Sequence, residues 1–107
     1  MLLKSDVDLR GMQPQILVAM IAAERIYQEA GRELMITSVT DGKHMEGSLH
    51  YKGHAVDMRT TAVGIPAETV QRIAAKVKSA LGPQFDVVVE GDHLHVEFDP
   101  KDGKVKA

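Results

Sequence analysis

Residues 93–98 alternate strictly between polar and apolar side chains, and this alternation is the strongest constraint on how the chain can fold. His93, His95 and Glu97 occupy one set of positions, and apolar residues occupy the other. Successive side chains of a β-strand point to opposite faces of a sheet. The pattern therefore predicts a strand with one face on an apolar core and a histidine-bearing face turned away from it. A solvated hairpin would explain the alternation, but not the choice of histidine.

Two segments repeat apolar residues at helical spacing. The first runs from Pro14 to Ala30 and is followed by Gly31, a residue typical of a helix C-terminus. The second begins near Pro66, which suits the first turn of a helix, and ends before Gly82-Pro83. The apolar stripe of the first helix comprises Ile16, Met20, Ala23 and Tyr27, with Leu17 and Ile21 widening it.

Three further segments have the composition of strands. They span residues 34–39, 55–61 and 85–90, and the last is joined to residues 93–98 through Gly91-Asp92 as a hairpin. The order helix, strand, strand, helix, strand, strand predicts an α+β fold. We expect a small antiparallel or mixed sheet of about four strands, with both helices packed on one face.

The composition limits the classes of protein to consider. A chain of 107 residues is long enough for one core, so we expect a single domain with an N-terminal arm at 1–12 and a C-terminal tail at 101–107. The net charge of -2 argues against nucleic-acid binding. No cysteine is present, which excludes disulfides, cysteine-based zinc modules and a thiol nucleophile. No stretch approaches the roughly 20 apolar residues of a membrane helix.

The histidines lie outside both predicted helices, in the segments around two predicted strands. His50 and Asp57 come from one of these segments, and His93 and His95 come from the other. Two imidazoles and one carboxylate from separate segments can hold zinc on three sides and leave a fourth position for water, as in catalytic zinc sites. Asp57 lies on the less apolar face of its predicted strand, so we expect it to point away from the core.

The run from Ser48 to Asp57 reads Ser-x-His-x-x-Gly-x-Ala-x-Asp, and His93-Leu94-His95 follows downstream as His-x-His. This composite pattern resembles the superfamily that unites lysostaphin-type endopeptidases, zinc D-alanyl-D-alanine carboxypeptidases and dipeptidases, and the signalling domain of hedgehog proteins. The match covers residues 36–98, and the run 41–57 is most similar to the hedgehog N-terminal domain. The resemblance implies a bacterial or phage protein with a hedgehog-like or D,D-peptidase-like fold. It also implies one zinc ion held by His50, Asp57 and His95.

A zinc hydrolase also needs a carboxylate that accepts the proton of the attacking water, and two residues compete for this role. Asp92 stands three residues before His95, a spacing similar to that of the carboxypeptidases. Glu90 is similar to the glutamate that precedes the hedgehog histidine pair. Glu90 is favoured because it ends an apolar strand, where partial desolvation would strengthen it as a base. Asp92 can instead serve as a turn residue.

The resemblance implies roles for three more side chains. His93 corresponds to the histidine that stabilises charge on the tetrahedral intermediate, and His44 corresponds to a further active-site histidine. Ser48 is similar to a serine that helps to bind substrate in the dipeptidases. His44 can equally be an exposed loop residue, and the Ser48 hydroxyl can equally bond to its own loop backbone.

One position departs from the carboxypeptidase pattern. An arginine that binds the terminal carboxylate of the substrate is expected near residue 41, where this chain has Asp41. Lys43 and Arg59 are the candidate substitutes, and strict D-alanyl-D-alanine specificity is not expected. A hedgehog-like calcium site is also not expected, because only Asp41 and Glu46 offer oxygen ligands in the corresponding loop.

The leading hypothesis is a monomeric zinc metallopeptidase acting on a peptidoglycan stem peptide, without nucleic-acid or membrane partners. The lack of an N-terminal signal pattern predicts a cytoplasmic protein, or one released to the cell wall by lysis or a phage-type route. A second hypothesis is a catalytically silent, hedgehog-like module that keeps zinc and binds a protein or glycan partner. A third is a non-haem iron oxygenase that uses the same ligands as a facial triad.

Overall fold

The computed structural model of the protein describes residues 1–40, 53–60 and 64–100. The described part has two helices and five strands, an α+β fold with a small mixed sheet, which confirms the predicted fold class. The helices are α1 (Pro14–Glu29) and α2 (Ala67–Leu81), and the strands are β1 (Leu2–Leu3), β2 (Met35–Ser38), β3 (Ala55–Arg59), β4 (Phe85–Val89) and β5 (His93–Phe98).

The strand order in the sheet is β1-β2-β3-β5-β4. The short edge strand β1 pairs in parallel with β2, and every other neighbouring pair is antiparallel. β4 and β5 form the hairpin that Gly91-Asp92 predicts. β1 lies within the segment expected to be an arm, and it adds a fifth strand to the predicted four.

The two faces of the central strands are chemically different. Val56 lies opposite Val96, and Met58 lies opposite Leu94, in the antiparallel pairing of β3 with β5. All four side chains are fully buried, in the same cluster as the apolar residues of α1 and α2. The helices therefore cover one face of the sheet, and the alternate residues of β3 and β5 face the other way.

Helix α1 buries a narrower stripe than its sequence predicts. Ile16, Met20 and Tyr27 are buried as expected. Leu17 and Ile21, which were expected to widen this stripe, are instead 46% and 59% exposed. Each follows a buried residue by one position, which turns its side chain about 100° round the helix and away from the core. Neither helix of the described ranges has the length and hydropathy needed to cross a membrane.

The N-terminal segment contacts the chain on both sides of residues 41–52. The Asp8 carbonyl accepts hydrogen bonds from the Thr40 amide at 3.0 Å and the Thr40 hydroxyl at 2.7 Å. The Gln13 amide donates to the Gly53 carbonyl at 2.9 Å. Segment 8–13 therefore holds Thr40 and Gly53, the described residues that flank 41–52 in the sequence.

Candidate metal centre

Asp57 and His95 meet on the face of the sheet that the helices leave uncovered. They are direct partners in the pairing of β3 with β5, although 38 positions separate them in the chain. Asp57 Oδ1 lies 2.9 Å from His95 Nδ1. The two side chains are only 15% and 18% exposed. Two of the three predicted zinc ligands are thus brought together by the register of the sheet.

The distance between these two atoms can be compared with a zinc site. Tetrahedral bonds of about 2.0–2.1 Å place neighbouring ligand atoms roughly 3.3 Å apart. The 2.9 Å between Asp57 and His95 is close to that separation, so a small outward movement would accommodate an ion. The carboxylate and imidazole donors also suit zinc. The third predicted ligand, His50, lies outside the described residues.

The ring of His95 is held between two carboxylates. Its Nδ1 faces Asp57, and its Nε2 lies 2.8 Å from Glu97 Oε1. The hydrogen bond with Asp57, supported by the one with Glu97, raises the pKa of His95 to about 9 against the opposing effect of burial. At neutral pH without metal the ring therefore carries a proton on each nitrogen. Metal binding at this ring would have to displace one of them.

His93 lies beside this pair on the same face of β5. Its Nε2 is 3.7 Å from Asp57 Oδ1, and its Nδ1 is 2.7 Å from Asp92 Oδ1. The hydrogen bond from His93 lowers the pKa of the Asp92 carboxyl group. Asp92 thus orients the ring of His93 so that the opposite nitrogen faces Asp57.

The two candidate bases have different surroundings. Glu90 is exposed, as is Val89 before it, so the partial desolvation expected at the end of β4 is absent. The Glu90 amide donates to the His93 carbonyl at 2.9 Å, which extends the hairpin pairing and keeps Glu90 next to His93. The carboxyl group of Asp92 is hydrogen-bonded to His93, and the Asp92 side chain is 73% exposed.

Arg59 lies directly opposite His93 in the pairing of β3 with β5, and it is half-buried. Its position brings a guanidinium group to the same face as Asp57. The backbone carbonyl of Arg59 accepts a hydrogen bond from the Tyr27 hydroxyl at 3.2 Å, which ties this end of β3 to α1. The remaining predicted site residues, His44, His50, Ser48 and Lys43, lie outside the described residues.

The alternation of residues 93–98 predicts that Glu97 lies on the histidine face, but the sequence assigns it no role and does not single out its acidic neighbours. Asp86 lies opposite Glu97 in β4, and single oxygens of Asp86, Glu97 and Asp99 lie within 4.8 Å of one another. The alternation in residues 93–98 is the sequence feature that could have identified Glu97 as a neighbour of His95. Asp86 becomes its neighbour only through the register of the hairpin, which composition does not reveal.

Comparisons of the chain with protein-family models, curated proteins and solved structures found no match. The described face offers an oxygen and a nitrogen donor, a second imidazole, a guanidinium group and several carboxylates. Such a set can bind a divalent cation, bind an anionic group and transfer a proton.

Proposed function

We propose that this chain is a zinc metallopeptidase that hydrolyses a short peptide of the bacterial cell wall, with zinc on His50, Asp57 and His95. The observation that supports the proposal is the 2.9 Å approach of Asp57 Oδ1 to His95 Nδ1, between two residues assigned as ligands by sequence pattern alone. The resemblance to the lysostaphin, D-alanyl-D-alanine carboxypeptidase and hedgehog superfamily supplies the substrate class and the third ligand.

Zinc, when bound, polarises a substrate carbonyl and lowers the pKa of water to about 7. The side chains around it have separate tasks. Glu90 is the better base, because the hydrogen bond from His93 lowers the pKa of Asp92 and weakens its affinity for a proton. Asp92 then acts by holding His93. The ring of His93 is placed to donate a hydrogen bond to the oxygen on which negative charge develops.

Arg59 is the candidate contact for a carboxylate of the substrate. It lies on the ligand-bearing face, two cross-strand pairs along from Asp57 and His95. A guanidinium group binds a carboxylate through two parallel hydrogen bonds. An Arg59→Lys variant would keep the charge but lose this geometry, so its KM for peptides with a free terminal carboxylate should rise more than its kcat falls.

The proposal is tested by incubating metal-loaded protein with defined muropeptides and identifying the products by mass spectrometry. We expect cleavage of one bond, loss of bound zinc in His95→Ala, and a kcat reduced roughly 100-fold to 10,000-fold in Glu90→Gln. Asp92→Asn should be affected less. Full rates in both carboxylate variants would contradict the proton-transfer assignment.

Two outcomes would favour the alternatives. Stoichiometric zinc with peptide binding but no cleavage across the panel would indicate a silent binding module. Iron in the purified protein, with turnover that depends on dioxygen, would indicate an oxygenase. Metal analysis of the purified protein separates these cases before any substrate is tried.

A further inference from the structure

Glu97 contacts the outer nitrogen of the His95 ring. Its Oε1 lies 2.8 Å from His95 Nε2, and its side chain is 21% exposed. The two residues are two positions apart in β5, so both side chains project from the same face of the strand. Because the strand is paired on both sides, by β3 and by β4, this contact is fixed by the sheet.

The contact occupies one ring nitrogen of His95 and leaves the other beside Asp57. An ionised carboxylate accepts hydrogen bonds and cannot donate them. Both ring nitrogens of His95 therefore hold a hydrogen towards a carboxylate, but only Asp57, on the Nδ1 side, is a proposed ligand. A metal ion held by Asp57 would take the place of the hydrogen on Nδ1, while the contact with Glu97 keeps the hydrogen on Nε2. Histidine ligands in metal sites commonly donate their other ring N–H to a carboxylate, which fixes both the tautomer and the ring orientation.

We propose that Glu97 is a positioning residue that holds His95 with the hydrogen on Nε2 and with Nδ1 directed towards the metal position beside Asp57. This role rests on the proposed function only in requiring a metal on His95, and it does not require that a peptide be cleaved. Nothing in the superfamily pattern Ser-x-His-x-x-Gly-x-Ala-x-Asp and His-x-His assigns a role to this position.

The variants Glu97→Gln and Glu97→Ala separate positioning from charge. The amide oxygen of glutamine can still accept the hydrogen bond, whereas alanine cannot. We expect Glu97→Ala to lose roughly tenfold to 100-fold in zinc affinity, measured by competition with a chromophoric chelator, and Glu97→Gln to lose less. Asp86→Asn is the matched control, because it removes one negative charge from the cross-strand neighbour of Glu97 and leaves the Glu97 carboxylate in place.

A second measurement reports the ring directly. In zinc-loaded protein labelled with nitrogen-15, His95 should show zinc-bound Nδ1 and a protonated Nε2 whose hydrogen exchanges slowly with water. Glu97→Ala should lose this slow exchange even where excess zinc restores full occupancy. Circular dichroism of each variant identifies any that fail to fold, and the isosteric Glu97→Gln provides the test if Glu97→Ala is one of them.

The results distinguish this role from the proposed function. Zinc affinity that is unchanged in Glu97→Ala, or reduced equally in Asp86→Asn, would overturn the positioning role alone. Wild-type protein that binds no zinc would overturn both proposals. Zinc binding that depends on Glu97, in a protein that cleaves no muropeptide, would overturn the peptidase and support the positioning role.

Discussion

At the scale of single residues, Gly53 is the position where side-chain size matters most. Its φ is +74°, and a Cβ added there would overlap the Gly11 carbonyl oxygen and lie 3.1 Å from the Met12 Cα. Gly53→Ala should therefore lower the free energy of unfolding by at least about 2 kcal/mol, through backbone strain and overlap together. Urea denaturation monitored by circular dichroism measures this loss.

The matched control is Gly31→Ala. Gly31 also has a positive φ, +72°, but an added Cβ would meet no atom within 4 Å. This variant should cost only about 1 kcal/mol, from the left-handed backbone conformation alone. Equal losses of stability in the two variants would show that the close approach of residues 11–12 to Gly53 does not contribute to the loss in Gly53→Ala.

Individual site residues could be predicted from the sequence to different degrees. The strict alternation of residues 93–98 was enough to place His93, His95 and Glu97 on one face, and the structure confirms it. The exposure of Glu90 was not predictable, because it depends on whether another element covers the end of β4, and none of the described residues does so. The pairing of His95 Nε2 with Glu97 required side-chain geometry.

At the scale of elements, α1 offers a direct test of its buried stripe. Ile16 is fully buried, whereas Ile21 is 59% exposed on the same helix. Ile16→Ala should lower the free energy of unfolding by roughly 2–5 kcal/mol, because it removes buried methyl groups and leaves a cavity. The same change at Ile21 should stay within about 0.5 kcal/mol. A large loss at Ile21 in chemical denaturation would mean that this flank of α1 is covered in solution.

The N-terminal segment carries an ion pair that can be titrated. Arg10 donates to the Asp8 carboxylate from its amide, Nε and Nη2, and these bonds, led by the side-chain ones, lower the pKa of Asp8 to about 2. The contribution of this pair to stability is present above the ordinary pKa of 3.8 and is lost as the pH falls towards 2. NMR titration should find the Asp8 midpoint near 2, and Arg10→Ala should return it towards 3.8, while Arg25→Ala should not.

The helices and long strands followed from periodicity, but two features of the sheet did not. β1 has only two residues, too few for any alternation to be recognised. The register between β2 and β3 shifts between Ile36 and Ser38, which places Ser38 opposite Asp57. Such an irregularity is set by how strands fit together over the core and leaves no mark in local composition.

At the scale of the whole molecule, metal binding and folding stability should be linked. A ligand that binds only the folded state stabilises it by about 2.7 kcal/mol at 100 times its Kd. For a domain of this size, zinc at that excess should raise the Tm by roughly 10–20 °C in a calorimetric scan. His95→Ala should abolish the increase. His93→Ala should keep most of it, because the proposed site takes His95, and not His93, as its ligand.

The comparison between His93 and His95 tests the ligand assignment within one strand. Both histidines are on the same face, and both approach the same oxygen of Asp57, at 3.7 Å and 2.9 Å. If His93→Ala removed the zinc-dependent increase in Tm and His95→Ala kept it, the ion would sit beside His93 and Arg59, two cross-strand pairs along the sheet. Glu97 would then be too far along β5 to orient the ligand, so the same two scans would also decide whether its contact with His95 can matter for the metal.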